Sequence, residues 1–358
     1  MLPSRDREEA VVRACVDTMI PSRPPSYLKT CVTCRGHAAM RGMQTPIILS
    51  IALLLLAFAR SATVPAQVRA FDAAFWKQWG DGQAELSGYN LVFPRYGQLR
   101  RGSAVTIFVT ETFSNALRVK ADPGKHPVSD QFPVMKLNLV EDYQTGIYDY
   151  NDMTSSFVAL APENGRPAGS PTKIAFSSQE WCGHTFQQLL FDARTIRSTS
   201  HSYFDGEADQ HGDLSYPVDG LSEDELLLWA RGHAGPRLAP GERRDVQLLT
   251  SLQTVRQQHT PLSWRRATLS RSARPQQISV QAGKFTVEVW TAEISGGVRR
   301  TVYAEAAEPH RIIRWEATSG ERADLLGSQR MRYWEMNREG FESALQKLGL
   351  SPRPPRTT

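Results

Sequence analysis

Cysteine is scarce in this 358-residue chain. Of its four cysteines, Cys15, Cys31 and Cys34 lie close to the start, and Cys182 stands alone in all that follows. A chain with one thiol builds no internal disulfide framework, so its stability has to come from a hydrophobic core. Cys31-Val-Thr-Cys34 has metal or redox spacing, but no second Cys/His pair completes a zinc site and no strand–helix context suggests a thioredoxin-like element. Also missing are a Gly-x-Ser-x-Gly elbow, a phosphate-binding Gly-x-x-x-x-Gly-Lys-Ser/Thr loop, a His-Glu-x-x-His helix and a strand–glycine–helix dinucleotide motif. No metal site and no cofactor is implied.

Charge is balanced over most of the chain. The total is +5, with a pI of about 9.1. Residues 1–66, however, hold eight of the 42 Lys and Arg and four of the 37 Asp and Glu, leaving 34 against 33 and a net of +1. Such a body has no general electrostatic footprint for a phosphate backbone, so nucleic acid is not an expected partner.

One long apolar run is present, Thr45-Pro-Ile-Ile-Leu-Ser-Ile-Ala-Leu-Leu-Leu-Leu-Ala-Phe-Ala59, preceded by Arg41 and followed by Val64-Pro-Ala66. Its order is that of a secretory signal peptide, too short to span a bilayer as a helix of about 20 residues. Residues 40–66 are therefore expected to be a leader with the mature start near Gln67, and the protein to be exported to the periplasm or envelope. An uncleaved anchor is the competing reading, because Arg60 precedes the cleavage site. Residues 1–39, rich in Pro and Arg, are expected to be disordered and an over-extended gene start, Met40 or Met43 being conventional starts; a long charged leader region is the alternative. No cysteine follows the run closely enough for lipid attachment.

Beyond the leader, alternation dominates. Strands are expected over 83–93, 103–112, 135–141, 147–159, 173–178 and 185–191, then over 245–252, 262–270, 277–280, 284–294, 298–306, 311–317 and 323–334. Ser295-Gly-Gly297 is a hairpin turn between two such runs. Helices are expected over 68–79, over 222–231 behind the capping box Ser222-Glu-Asp-Glu225, and over 337–348. Gly235–Gly241, with two prolines, suggests a boundary between a β-rich domain over 67–234 and an antiparallel β domain over 242–350, with a disordered tail over 351–358. The fold class is mainly β: antiparallel curved sheets or half-barrels with a few flanking helices. Gly82-Gln-Ala-Glu-Leu-Ser-Gly88 faintly echoes Glu321-Arg-Ala-Asp-Leu-Leu-Gly327.

Reactive side chains concentrate at Glu180-Trp-Cys-Gly-His184. On a strand, Cys182 and His184 would share a face, where the imidazole could activate the thiol and Glu180 could assist; a buried structural Cys is the competing reading. Asp205-Gly-Glu-Ala-Asp-Gln-His-Gly-Asp213 alternates ligand types, yet it lacks the glycine and closing Glu of a Ca²⁺ loop and fits a solvated hairpin tip. Arg256, Arg265, Arg266, Arg271 and Arg274 form a basic stretch that a solvated strand face explains. Leu262-Ser-Trp-Arg-Arg266 and Arg311-Ile-Ile-Arg-Trp315 alternate apolar and cationic side chains. With Trp290, they suggest an apolar trough with a basic edge, formed by Trp264, Trp290, Trp315, Arg265 and Arg314 and suited to a lipid-like ligand. The trough could equally be filled by the helix over 337–348.

Phe75–Tyr89, Leu137–Tyr150, Ser177–His184 and Arg311–Trp315 resemble segments of an uncharacterised family of exported bacterial proteins, over most of residues 70–350. Some members of that family carry the name septum formation inhibitor Maf. True Maf proteins are cytoplasmic α/β nucleotide pyrophosphatases, which neither the leader nor the strand pattern here fits. The resemblance implies no known catalytic residues. The expectation is thus an envelope protein that binds an apolar or amphipathic ligand or a protein partner without catalysis, the alternative being a hydrolase using Cys182 and His184.

Overall fold

The computed structural model describes residues 71–352, so the expected leader, the segment ahead of it and residues 353–358 lie outside the described residues. The first strands are β1 (Ala84–Arg95), β2 (Gln98–Ser114), β3 (Gln131–Thr145) and β4 (Tyr148–Ala159). They continue as β5 (Pro171–Glu180), β6 (Gly183–Phe191), β7 (Thr195–Ser202), β8 (Gln210–Ser215) and the short β9 (Gly220–Ser222). Then follow β10 (Arg243–Leu249), β11 (Trp264–Arg271), β12 (Gln276–Val280) and β13 (Gly283–Ile294). The last are β14 (Val298–Glu305), β15 (Ile312–Ala317) and β16 (Arg322–Met331). Three short α-helices accompany them: α1 (Ala73–Trp79), α2 (Leu226–Ala230) and α3 (Leu252–Gln258). All sixteen strands belong to one sheet, in the order β8-β7-β6-β5-β4-β3-β2-β1-β16-β15-β14-β13-β11-β10-β9, with β12 beside β13. Only the β9–β10 pair is parallel among the described strands.

The sheet bends around α2. Tyr89, Leu91 and Phe93 of β1 point inward with Phe108 of β2 and Leu137 of β3, and Trp290 and Trp315 reach the same core from the other side. All five residues of α2, Leu-Leu-Leu-Trp-Ala, are buried among them. A helix that is apolar all round has no solvent face to offer and belongs in a core. Fully burying Leu228 and Trp229 contributes on the order of 2 kcal/mol each. The helix is delimited as its sequence requires: Ser222 N donates to Glu225 Oε2 at 2.9 Å, closing a capping box. At the other end Gly232 takes a left-handed φ of +74°, so that its N–H reaches Trp229 O and the N–H of His233 reaches Leu228 O, both at 2.8 Å. This is a Schellman stop, for which glycine is the unstrained residue.

Two adjacent residues show how the strip ends. Leu248 of β10 lies in the central core, whereas Leu249 lies in a second cluster with Ile174, Phe176, Leu189 and Phe191 of β5 and β6. Successive strand side chains point to opposite faces, so β10 is covered by the core on one side and by β5 and β6 on the other. The strip laps past itself instead of closing, and its edge strands β8 and β9 share no ladder.

The curved antiparallel architecture expected from alternation is the one the chain builds. Around the expected boundary at residues 235–241, Ala234 and Leu238 sit in the central core. Gly235, Pro236 and Pro240 turn the chain after the plug helix. The C-terminal helix fills no trough. It is a 3₁₀ helix, Phe341–Leu348, lying on the outer face of β1 and β16. Gly88 and Gly327 oppose each other beneath it, and a Cβ on Gly327 would come within 2.6 Å of the Lys347 carbonyl oxygen. These glycines end the two echoing heptapeptides, so the echo marks neighbouring strands under one helix. The strand expected over 245–252 stops at Leu249, because Ser251 caps α3 by accepting from Thr254 N at 3.1 Å.

Candidate functional site

The cysteine–histidine cluster spans a hairpin tip. β5 ends at Glu180 and β6 begins at Gly183, which leaves Cys182 in the exposed turn and not on a strand. The shared face expected for Cys182 and His184 therefore does not arise from strand alternation. Glu180 turns inward, where its carboxylate meets Arg256 Nη2 at 3.4 Å. His184 pairs with Gln179, on the face opposite Glu180, and is exposed. The structure thus sends Glu180 and His184 to different sides of the sheet. The alternating ligand types of the 205–213 loop also disperse: Glu207 pairs with His259 and Asp209 with His201. No His, Cys, Asp and Glu side chains gather as a metal-binding group among the described residues.

The five aromatic and basic residues expected to line one trough are likewise separated. Trp315 is buried against Tyr89, with ring centroids 4.6 Å apart, and its Nε1 donates to Glu321 at 2.9 Å. Trp264 stacks on Tyr216 in the second cluster and donates to Ser215 O at 3.0 Å. Arg265 donates to the Ser295 carbonyl at a hairpin turn, and Arg314 pairs with Asp324 at 2.5 Å. Trp290 borders a sizeable cavity.

That cavity, of about 740 Å³, lies at the end of the curved sheet beside α1 and the C-terminus of α2. One wall is aromatic. Phe75 and Trp79 lie one turn apart on α1, and Asp72 caps that helix by accepting from Phe75 N at 2.9 Å. His233, set in place by the Schellman stop, meets both rings edge-on at 5.7 Å. Trp290 continues the wall and abuts Trp229 at 5.1 Å. Polar side chains of both signs share the lining, among them Asp72, Glu242, Glu288 and Glu308. Arg271 donates from Nη1 to Leu238 O at 2.9 Å, pairs with Glu288 at 2.5 Å and lies 5.1 Å over the Trp290 ring. Arg237 is exposed at the rim and has no ion pair among the described residues. The signal for this site was divided in the sequence: the 68–79 periodicity marked one wall, but nothing local links it to Arg237 or Trp290.

A second group of side chains escapes sequence reasoning altogether. Glu141 of β3 and Asp152 of β4 oppose each other on the inner face, and both accept from Gln253 Nε2 of α3, at 2.8 and 3.2 Å. Burial, followed by the negative neighbours Glu321 and Asp152, holds Glu141 well above the usual carboxylate range. Burial also raises Asp152. Asp224 accepts from Leu252 N at 3.1 Å and is pushed up to about 7, again by burial. Two opposed carboxyls favour retention of a proton, because the second charge would be both desolvated and repelled. The void beside them measures about 70 Å³, room for water and not for an organic ligand. They tie α3 to the sheet.

No family model and no curated protein matches the chain. Among solved structures it is similar to the crystal structure of a beta-barrel-like protein of the domain of unknown function DUF1849 from Brucella abortus. The two share 10% identity with a TM-score of 0.41, over 70% of this chain and 98% of that one.

Proposed function

We propose that this is a binding protein, and that the cavity beside α1 takes an amphipathic ligand with an anionic head. The observation that carries this reading is the 740 Å³ space lined by the aromatic rings of Phe75, Trp79 and Trp290, with Arg271 over the Trp290 ring and held by Glu288, and with Arg237 at the rim. Sites of this size hold drug-sized or acyl ligands, with apolar surface supplying affinity and a few polar groups fixing orientation. The acyl portion lies along the aromatic wall, and the head lies at the rim near Arg237. We further propose that the protein works after export, a reading supported by the apolar run ahead of the folded unit.

Displacement of a naphthylamine dye by laurate tests the reading. Phe75→Ala, on a half-buried helix side chain, should weaken laurate about tenfold through lost apolar contact. Arg237→Gln should weaken laurate but leave dodecanol unchanged. Absence of dye uptake, or equal affinity in the parent and both variants, would refute the assignment.

A further inference from the structure

The end of the sheet away from α1 carries a row of exposed aromatic side chains, and its origin lies in the topology. β1 to β8 form consecutive antiparallel neighbours, so the turns β1–β2, β3–β4, β5–β6 and β7–β8 all fall at one end. Each of these tips presents a large apolar or amphipathic side chain. Tyr96 and Leu99 flank the first turn, Ile147 occupies the second, Trp181 the third and Tyr203 the fourth. Their exposures of 45, 61, 78, 69 and 64% place them well out in solvent.

Ring contacts link the Tyr96 and Trp181 tips by way of Tyr148 and the buried Tyr150, and Leu99 and Ile147 are exposed beside that chain of rings without belonging to it. Tyr96 and Tyr150 centroids lie 6.5 Å apart, Tyr150 and Tyr148 5.8 Å, and Tyr148 and Trp181 6.2 Å. Tyr203 then sits on Gly183, where a Cβ would come within 2.5 Å of its ring, so the fourth tip packs beside the third. Arg95 lies 4.2 Å over the Tyr96 ring and ties the first tip to the second by donating to Tyr150 Oη at 3.3 Å. Beside Leu99, Arg100 and Arg101 have no ion pair among the described residues.

We propose that this fringe docks on the headgroup region of an anionic lipid bilayer. A solitary exposed apolar residue calls for no explanation, but a connected row does. Trp and Tyr combine an apolar ring with one polar atom, a pairing that suits the boundary between acyl chains and water. Leu99 and Ile147 supply purely apolar insertion, and Arg100 and Arg101 supply charge complementary to anionic headgroups at the first tip, whereas the second and fourth tips carry the exposed acids Asp149 and Asp205. A bilayer surface can meet several separate hairpin tips at once. The docking face and the α1 cavity lie at opposite ends of the strands, so either assignment stands without the other.

Vesicles of phosphatidylcholine containing phosphatidylglycerol, with brominated acyl chains, test the proposal on the full chain. Residues 45–59 are themselves apolar, so bulk vesicle binding is uninformative and the readout is the difference between the parent and Trp181→Phe. Bromine quenching of the Trp181 contribution, diminished at high salt, is expected. In the full chain, the combined variant Leu99→Ser and Ile147→Ser, which leaves Trp181 in place, should lower the salt-sensitive quenching of Trp181 several-fold with an unchanged melting curve. Equal quenching in the parent and Trp181→Phe would overturn the proposal, since attachment would then run through another segment. So would a rim variant that alters self-association and not the quenching, which would assign the fringe to a second copy of the chain.

Discussion

The central strands and the β6–β8 arm are made by the same alternation, yet their inward faces have opposite chemistry. In the centre, Tyr89, Leu91, Phe108 and Leu137 close over α2. In the arm, the inward positions in phase with Leu189 and Ile196 are Thr185, Gln187, Ser198, Ser200 and Ser202, and they face a trough of about 400 Å³ beneath α3. Gln187 donates to Ser198 Oγ of the neighbouring strand on the floor of that trough at 3.3 Å. The difference teaches that curvature does not demand an apolar inner face. Apolar character follows the element that covers the face, and where no helix fills the curve, hydroxyls and amides can remain hydrated.

Three tests would break or sharpen this contrast, and the largest effect belongs to the centre. Arg231 follows α2 and grips Glu85 of β1 through two bonds of 2.6 and 3.1 Å, with both side chains almost fully buried. The guanidinium also donates to Pro309 O at 2.8 Å and lies 4.2 Å over Phe108. Arg231→Ala leaves a carboxylate buried without its partner, which costs about 3–5 kcal/mol. The shift of the urea midpoint at constant slope checks this. Glu85→Leu combined with Arg231→Met removes both charges and should recover most of the loss. If the double variant is as unstable as the single, the pair anchors α2 by direction as well as by charge.

Next comes the boundary between the two regions, where Asp224 joins α2's cap to α3. Its folded pKa of about 7 exceeds the ordinary 3.8, so the native state binds the proton more tightly than the unfolded chain. The sign follows: Asp224 supports folding fully below about pH 4, and that support is lost as pH rises through about 7. Asp224→Asn retains an acceptor for Leu252 N and removes the titration. The variant should exceed the parent by about 2–4 kcal/mol at pH 8, with the gap closing below pH 4. Chemical denaturation at the two pH values decides it, and a pH-independent gap would show that Asp224 ionises normally in the folded protein.

Much of the centre was legible from the sequence, and the reason is local. The capping box at Ser222, the run Leu226–Trp229 and the stop at Gly232 describe α2 completely, because caps and period are contiguous in the chain. What was not legible was that α2 would fill the curve while the terminal 3₁₀ helix lies outside. α2 is apolar all round and the terminal helix on one face only, but the flat seat for the latter comes from the pair Gly88 and Gly327, which folding brings into register. The arm was harder. Arg197-Ser-Thr-Ser-His-Ser202 is polar on both faces and shows no hydrophobic alternation, so β7 and β8 have no period-two signature. The cavity and the Glu141–Asp152 pair depend on residues far apart in sequence. Each residue alone resembles an ordinary strand or helix position, and periodicity says nothing about which strands come together.

The smallest expected effect tests the arm itself, within one strand. Ile196 and Ser200 of β7 point to the same inner face, four residues apart, but Ile196 is fully buried in the second cluster and Ser200 borders the trough. Ile196→Ala removes packed methyl groups and should cost about 2–4 kcal/mol. Ser200→Ala should stay within about 0.5 kcal/mol, because a hydroxyl exchanged for a methyl on the lining of an open trough loses no buried partner. Urea midpoints of the two variants give the comparison directly. A loss above 1 kcal/mol at Ser200, by the ordinary worth of a buried hydrogen bond of about that size, would mean that α3 closes the trough in solution. The arm would then be packed like the centre, with polar side chains bonded to each other in place of apolar ones.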